Sequence, residues 1–87
     1  MTDTKDSLLQ FPCDFPIKAI GHTDDAPETL VLAIMRKHLV EIKEDGVKSR
    51  QRGDFTATTV IVKAQSRQQL DAIYEDLSAC KQLIMVL

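Results

Sequence analysis

At 87 residues the chain has room for one small domain and no second core. A hydrophobic fraction of 44% excludes the disordered class, and a formal charge of -2, from 13 acidic and 11 basic side chains, gives no global attraction to nucleic acid or to an anionic membrane. The polar start without a following apolar run, the short apolar stretches and the two cysteines, Cys13 and Cys80, predict a soluble, cytoplasmic chain with free thiols and no membrane association.

In chain order, residues 1–12 read as a polar lead, with a helical turn over 6–10, ahead of a core spanning 13–87; the whole, 1–87, is one domain. Pro12 and Pro16 argue against a regular central ladder through 11–16, because proline cannot donate to it. The first strand is therefore expected over 17–20, closed by Gly21. Asp25 and Glu28 have capping-box spacing, with Pro27 tolerated in the first turn. Behind them Leu30, Val31, Leu32, Ile34, Met35, His38 and Leu39 fill one arc at 100° per residue, which predicts a helix ending near 39–41.

Asp45-Gly46 is a turn signal, so 41–46 reads as a connection and 47–52 as a polar edge strand. In that strand Val47, Ser49 and Gln51 point one way, and Lys48, Arg50 and Arg52 the other. Gly53-Asp54 links it to a stronger strand over 55–64. There Thr56, Thr58, Val60, Val62 and Ala64 form the inner face, while Phe55, Ala57, Thr59, Ile61 and Lys63 form the outer. Ser66 and Gln69 make a second capping box, followed by Leu70, Ile73, Tyr74 and Leu77 at helical spacing. Residues 83–87 are a last β-prone run. Strand, helix, strand, strand, helix, strand is the βαββαβ order of an α+β, ferredoxin-like fold: a four-stranded antiparallel sheet with two helices on one face, the first and third strands central.

The sequence lacks the constellations that chemistry requires. His22 and His38 have no second ligand at metal spacing, so no metal and no cofactor is expected. His38 lies within the helix's apolar arc and reads as a packed, hydrogen-bonded histidine; His22 reads as an exposed loop residue. Cys13, beside Asp14, and Cys80, at the entry to an apolar strand, read as structural thiols. The glycines stand apart and form no phosphate-binding loop. The chain is accordingly read as non-enzymatic. RNA recognition on this fold class stacks bases on outward aromatics of the central strands. The outer face offers Phe55 alone, with Lys18 and Ile20 on the first strand, so nucleic acid is disfavoured and remains a weak alternative. The positive feature is the outer sheet face itself, a moderately apolar surface that could meet another copy, a partner or a ligand.

The run Leu8-Leu9-Gln10-Phe11-Pro12, followed by Phe15-Pro16-Ile17-Lys18 and Gly21, resembles the YbeD-like family of small bacterial proteins. The likeness continues through Arg36-Lys37-His38, Gly53-Asp54-Phe55 and Leu70 to Leu77, ends at Met85-Val86-Leu87, and so covers nearly the whole chain. Residues 41–46, acidic and lysine-rich, depart from it. The resemblance implies a fold close to the ACT domains, modules that often associate through sheets or helices and bind small effectors near the loop after the first strand. By that implication Gly21, His22, Thr23 and Asp24 would hold a small anionic metabolite. It implies no catalytic residues.

Two functional expectations follow. The first is a regulatory or adaptor domain that contacts another protein or a second copy through Phe55, Thr59 and Ile61, with Lys48, Arg50 and Arg52 as a charged rim. The second is a small-molecule sensor using the loop of Gly21, His22, Thr23 and Asp24.

Overall fold

The computed structural model describes residues 10–87. In it β1 (Cys13–His22) passes through a 3-10 turn (Thr23–Asp25) into α1 (Pro27–Lys37); β2 (Glu41–Arg52), β3 (Phe55–Ala64), α2 (Arg67–Ala79) and β4 (Leu83–Val86) follow. All but the last residue of the helical turn expected over 6–10 lies outside the described residues. The strands form one antiparallel sheet in the order β2-β3-β1-β4, so β1 and β3 are central as the pattern predicts.

Both helices pack on one face of this sheet, because that face carries the buried aliphatic side chains. Ile17 and Ala19 of β1, with Val60, Val62 and Ala64 of β3, meet Val31 and Met35 of α1 and Leu70, Ile73 and Leu77 of α2, all of them buried. Burial of each such aliphatic side chain contributes about 1.5–3 kcal/mol before the entropy of ordering is charged against it. Thr58 is the one buried polar side chain among the described residues, and its hydroxyl lies 3.0 Å from Ser49 Oγ. That bond removes the penalty for an unpaired hydroxyl in the core.

Four local expectations need correction. β1 begins at Cys13 and runs straight through Pro16. Lys18 N–H donates to Leu87 O at 3.2 Å, so the backbone nitrogens of alternate residues on β1 face β4. The Pro16 nitrogen, two residues earlier, faces the same way but beyond the last pair of that ladder, where no bond is forfeited.

At α1 the Asp25–Glu28 box does not form. Asp25 is consumed in the 3-10 turn, which Ala26 closes by donating to Thr23 O at 3.1 Å. Ala26 then takes the N-cap position in the left-handed region, φ 50, with Pro27 first in the helix, and Glu28 accepts from Ser49 Oγ at 2.6 Å instead. The apolar arc also loses its last member: Leu39 has φ 56 and is 90% exposed, turned out where α1 ends.

The turn signal Asp45-Gly46 marks a bulge inside β2, not a connection before it. Ile42 pairs with Val62 and Val47 with Val60, so four residues of β2 stand opposite Ile61 alone. Asp45 takes φ 62, and a Cβ on Gly46 would lie 2.8 Å from Lys43 O and 3.1 Å from Ile61 Cβ. Only glycine lets the chain fold this closely over Ile61. The second helix follows its signal: Ser66 caps α2 by accepting from Gln69 N–H at 3.1 Å, worth about 1 kcal/mol.

Candidate functional site

The face opposite the helices is open, and strand register orders it in transverse rows. Lys48 on β2 pairs with Thr59 on β3 and that with Lys18 on β1. Arg50, Ala57 and Ile20 form the next row, which Met85 of β4 extends; Arg52, Phe55 and His22 form the third. Directly opposed residues in an antiparallel sheet have Cβ atoms about 4.5–5.5 Å apart, so each row is a set of side-chain neighbours.

Ala57 is the smallest residue at the centre, and the sheet surface dips there. A depression of about 410 Å³ is lined by Lys18, Ile20, Arg50, Arg52, Phe55 and Ala57. A second, of about 470 Å³, continues along Lys18, Lys48, Arg50, Ala57 and Thr59. One end of the saddle is fixed by His22 against Phe55, with ring centroids 5.0 Å apart and planes tilted by 33°. Phe55 is still 45% exposed.

The electrostatics of this surface are one-sided. Among the described residues Lys18, Lys48, Arg50 and Arg52 have no ion-pair partner, and the acids that do form ion pairs meet other cations. Asp14 pairs with Lys43 at 3.1 Å, Glu41 with Lys63 at 4.0 Å and Asp71 with Arg67 at 3.2 Å. Asp76 joins Lys37 and His38 on the helical layer, where His38 Nε2 stands 2.6 Å from Asp76 Oδ2. A carboxylate only accepts, so Nε2 carries the proton in that bond. The His38 hydrogen bond holds the Asp76 carboxyl below its ordinary pKa, against a smaller opposing push from burial and with help from Lys37. His38 is thus a part-buried, hydrogen-bonded residue that joins the two helices.

Of the six contact residues expected from the sequence, five gather here: Phe55, Thr59, Lys48, Arg50 and Arg52. Ile61 shares the face but pairs with Pro16 and sits under the Gly46 bulge, outside both depressions. Lys18, Ile20, Ala57 and His22 are additional lining or flanking residues. Their alternation placed Lys18, Ile20 and Ala57 on outer faces, but which strands lie side by side at which register is a long-range fact.

The expected loop set is divided by the structure. Gly21 is buried, and a Cβ there would lie 2.8 Å from Gln82 O and 3.0 Å from Pro27 Cγ. His22 still belongs to β1 and faces the open side rather than a loop. Thr23 is latched to the β2–β3 turn: its N–H donates to Asp54 O at 2.7 Å, and its hydroxyl bonds Gly53 O and Thr56 Oγ1. Asp24 is exposed. Cys13 and Cys80 are both free and partly buried. Among the described residues no group of three His, Cys, Asp or Glu side chains could hold a metal ion, and no helix is long and apolar enough to cross a membrane.

Comparison with known proteins agrees with this architecture. A crystal structure of the ACT domain from GTP pyrophosphokinase of Chlorobium tepidum superposes with a TM-score of 0.70 over 86% of this chain and 97% of that one, at 12% identity. A solution structure of the same domain gives 0.68 over 85% and 84%, also at 12% identity. At such identity the likeness is one of fold. In sequence, a UPF0250 protein of Chromobacterium violaceum is 42% identical over the full length of both chains, and one of Shewanella woodyi is 38% identical, again over the full length of both. Residues 6–87 match the family model described as "Protein of unknown function (DUF493)". The chain therefore belongs to the DUF493, or UPF0250, family of small YbeD-like bacterial proteins, carried on an ACT-like ferredoxin fold.

Proposed function

We propose that this domain is a non-catalytic regulatory or adaptor module that acts in the cytoplasm by protein contact through its open sheet face. One observation carries the reading: an apolar saddle over Ile20, Phe55 and Ala57 is ringed by Lys18, Lys48, Arg50 and Arg52, four cations without internal partners among the described residues. In protein contacts an apolar centre supplies buried area, while the charged rim sets register and encounter rate. The ACT-like fold supports a regulatory role by analogy, since the solved neighbour is a domain of an enzyme, GTP pyrophosphokinase. Both thiols are free, the state that a reducing compartment maintains. In the loop of Gly21, His22, Thr23 and Asp24, Thr23 spends its N–H and hydroxyl on the β2–β3 turn and Gly21 is buried, which favours the sheet face over a metabolite site there.

Affinity purification from native cell extract at near-physiological salt tests the reading, with Ala57→Glu placed in the saddle and Ser78→Glu placed on the exposed side of α2 as control. Ala57→Glu should lose a stoichiometric partner that the parent chain and the control retain, with all three chains melting alike. Retention of that partner by Ala57→Glu would sink the proposal. The variant that sequence alone recommends, Ile61→Asp, is a poorer probe, because it strikes the packing under Gly46.

A further inference from the structure

We infer that the surface which docks on the open face is an acidic segment of a different protein, with an apolar side chain between its carboxylates, and that a second copy of this chain does not occupy the face. The inference rests on the adaptor reading and names the chemistry of its partner.

The charge distribution carries the first half. Four of the 11 basic side chains, Lys18, Lys48, Arg50 and Arg52, surround the saddle, and no acid lines either depression. That leaves seven basic side chains against 13 acidic ones on the rest of the chain, so a patch of +4 sits on a remainder of -6. A twofold dimer through this face would lay each cluster of four cations on its own copy with no carboxylate between them, and like charges brought together in a contact oppose it. Pairing the cationic face of one copy with the acidic remainder of another gives a head-to-tail contact, which propagates unless its rotation closes a ring. A separate acidic partner satisfies the same charges in a finite complex.

The spacing carries the second half. Lys48, Arg50 and Arg52 occupy alternate positions of one strand and recur about every 6.6–6.8 Å. An extended segment presents its own alternate side chains at the same repeat, so carboxylates on one side of it can meet these cations in turn, and each Arg can take a carboxylate through two parallel hydrogen bonds. Lys18, across the saddle, meets a further carboxylate from the other side. Between the two lies Ala57, flanked by Ile20 and Phe55, an apolar floor for one apolar side chain. A single-stranded nucleic acid has a comparable phosphate repeat but also needs aromatic platforms for its bases. This face exposes one, Phe55, and His22 already lies against it.

The test is an amide-resolved NMR titration of the full chain at near-physiological salt with three probes. These are a short glutamate-rich peptide with one central leucine, the same peptide with glutamine for every glutamate, and a single-stranded oligouridylate. The acidic peptide should shift Lys18, Ile20, Arg50, Phe55 and Ala57, and the glutamine peptide should not. Binding should weaken by about tenfold or more in Lys48→Glu/Arg50→Glu, whose exposed side chains leave the fold intact, and it should fall with added salt. Absence of shifts with the acidic peptide overturns the inference, as does tighter binding of the oligouridylate. Concentration-dependent shifts at these residues without any probe, lost in Lys48→Glu/Arg50→Glu, would assign the face to another copy and overturn it as well. The two proposals fail separately. If the acidic peptide does not bind while Ala57→Glu still loses its partner, the adaptor reading stands and the acidic partner falls. If the acidic peptide binds while Ala57→Glu keeps its partner, the adaptor reading falls and acid recognition stands.

Discussion

The sheet has two edges, and they are finished by different means. β2 runs for 12 residues, exposes Lys48, Arg50 and Arg52 on its outer side, and is broken between Ile42 and Val47 by a bulge folded over Ile61. β4 has four residues and no charge, carries one extra residue, Ile84, where Ile20 pairs with Met85 and Gly21 with Leu83, and leaves Ile84 and Met85 about half exposed, at 53% and 50%. A free edge is a template for another strand, and charge, interruption and brevity all discourage that pairing. The long edge uses charge and a four-residue interruption, and the short edge uses brevity and a one-residue bulge. The charges that protect β2 are also the ones that ring the saddle, so on this side of the molecule edge protection and recognition share the same side chains.

Four substitutions sharpen this contrast. The largest effect should come from Gly46→Val, whose new Cβ would press on Lys43 O at 2.8 Å. A stability loss of about 1–3 kcal/mol should appear in the urea midpoint. Gly53→Ala, at the β2–β3 turn where nothing lies within 4 Å and only the φ of 59 objects, should cost about 1 kcal/mol. Equal losses at the two glycines would mean that close packing does not hold the bulge. Next, Ile84→Lys should leave stability within about 0.5 kcal/mol while reducing any association at high concentration, followed by sedimentation. An association that survives it unchanged would show that β4 is not the vulnerable edge. The smallest effect belongs to Lys43→Met, which removes the exposed pair with Asp14 near the start of β2. A loss of about 0.5 kcal/mol or less, vanishing at high salt, is expected from thermal melts in a salt series. A larger, salt-independent loss would mean that this pair anchors the edge.

Where each residue's environment follows from its neighbours in sequence, the fold was legible. The alternation of β3 sorted Val60 and Val62 inward from Thr59 and Ile61 without any knowledge of the partner strands, and Ser66 and Gln69 marked the start of α2 correctly. Local rules failed where distant pairing decided the outcome. Pro16 is compatible with a central strand because its nitrogen faces past the end of the β1–β4 ladder. Asp45-Gly46 has the chemistry of a turn, and a bulge uses the same backbone conformations, so only the register against Val60 and Val62 tells them apart. Asp25 does not cap the helix because it lies inside the 3-10 turn that begins at Thr23, a residue tied to the distant β2–β3 turn. The candidate site was half legible for the same reason. The cations of β2 and the face of β3 could be read from alternation, whereas Lys18 and Ile20 join them only through the pairing of Lys18 with Thr59 and Ile20 with Ala57.

Tyr74 is the chain's single tyrosine, and there is no tryptophan. Its ring meets Phe15 edge-on at 6.5 Å on the helical side of the sheet, its hydroxyl donates to Leu87 O at 3.1 Å, and burial raises its pKa. The strongest natural fluorophore is therefore half-buried on the helical side of the sheet, away from the saddle. Its emission should follow unfolding cleanly and stay dark to docking, so optical assays of the open face need a reporter placed there, with Thr59 as a suitable position.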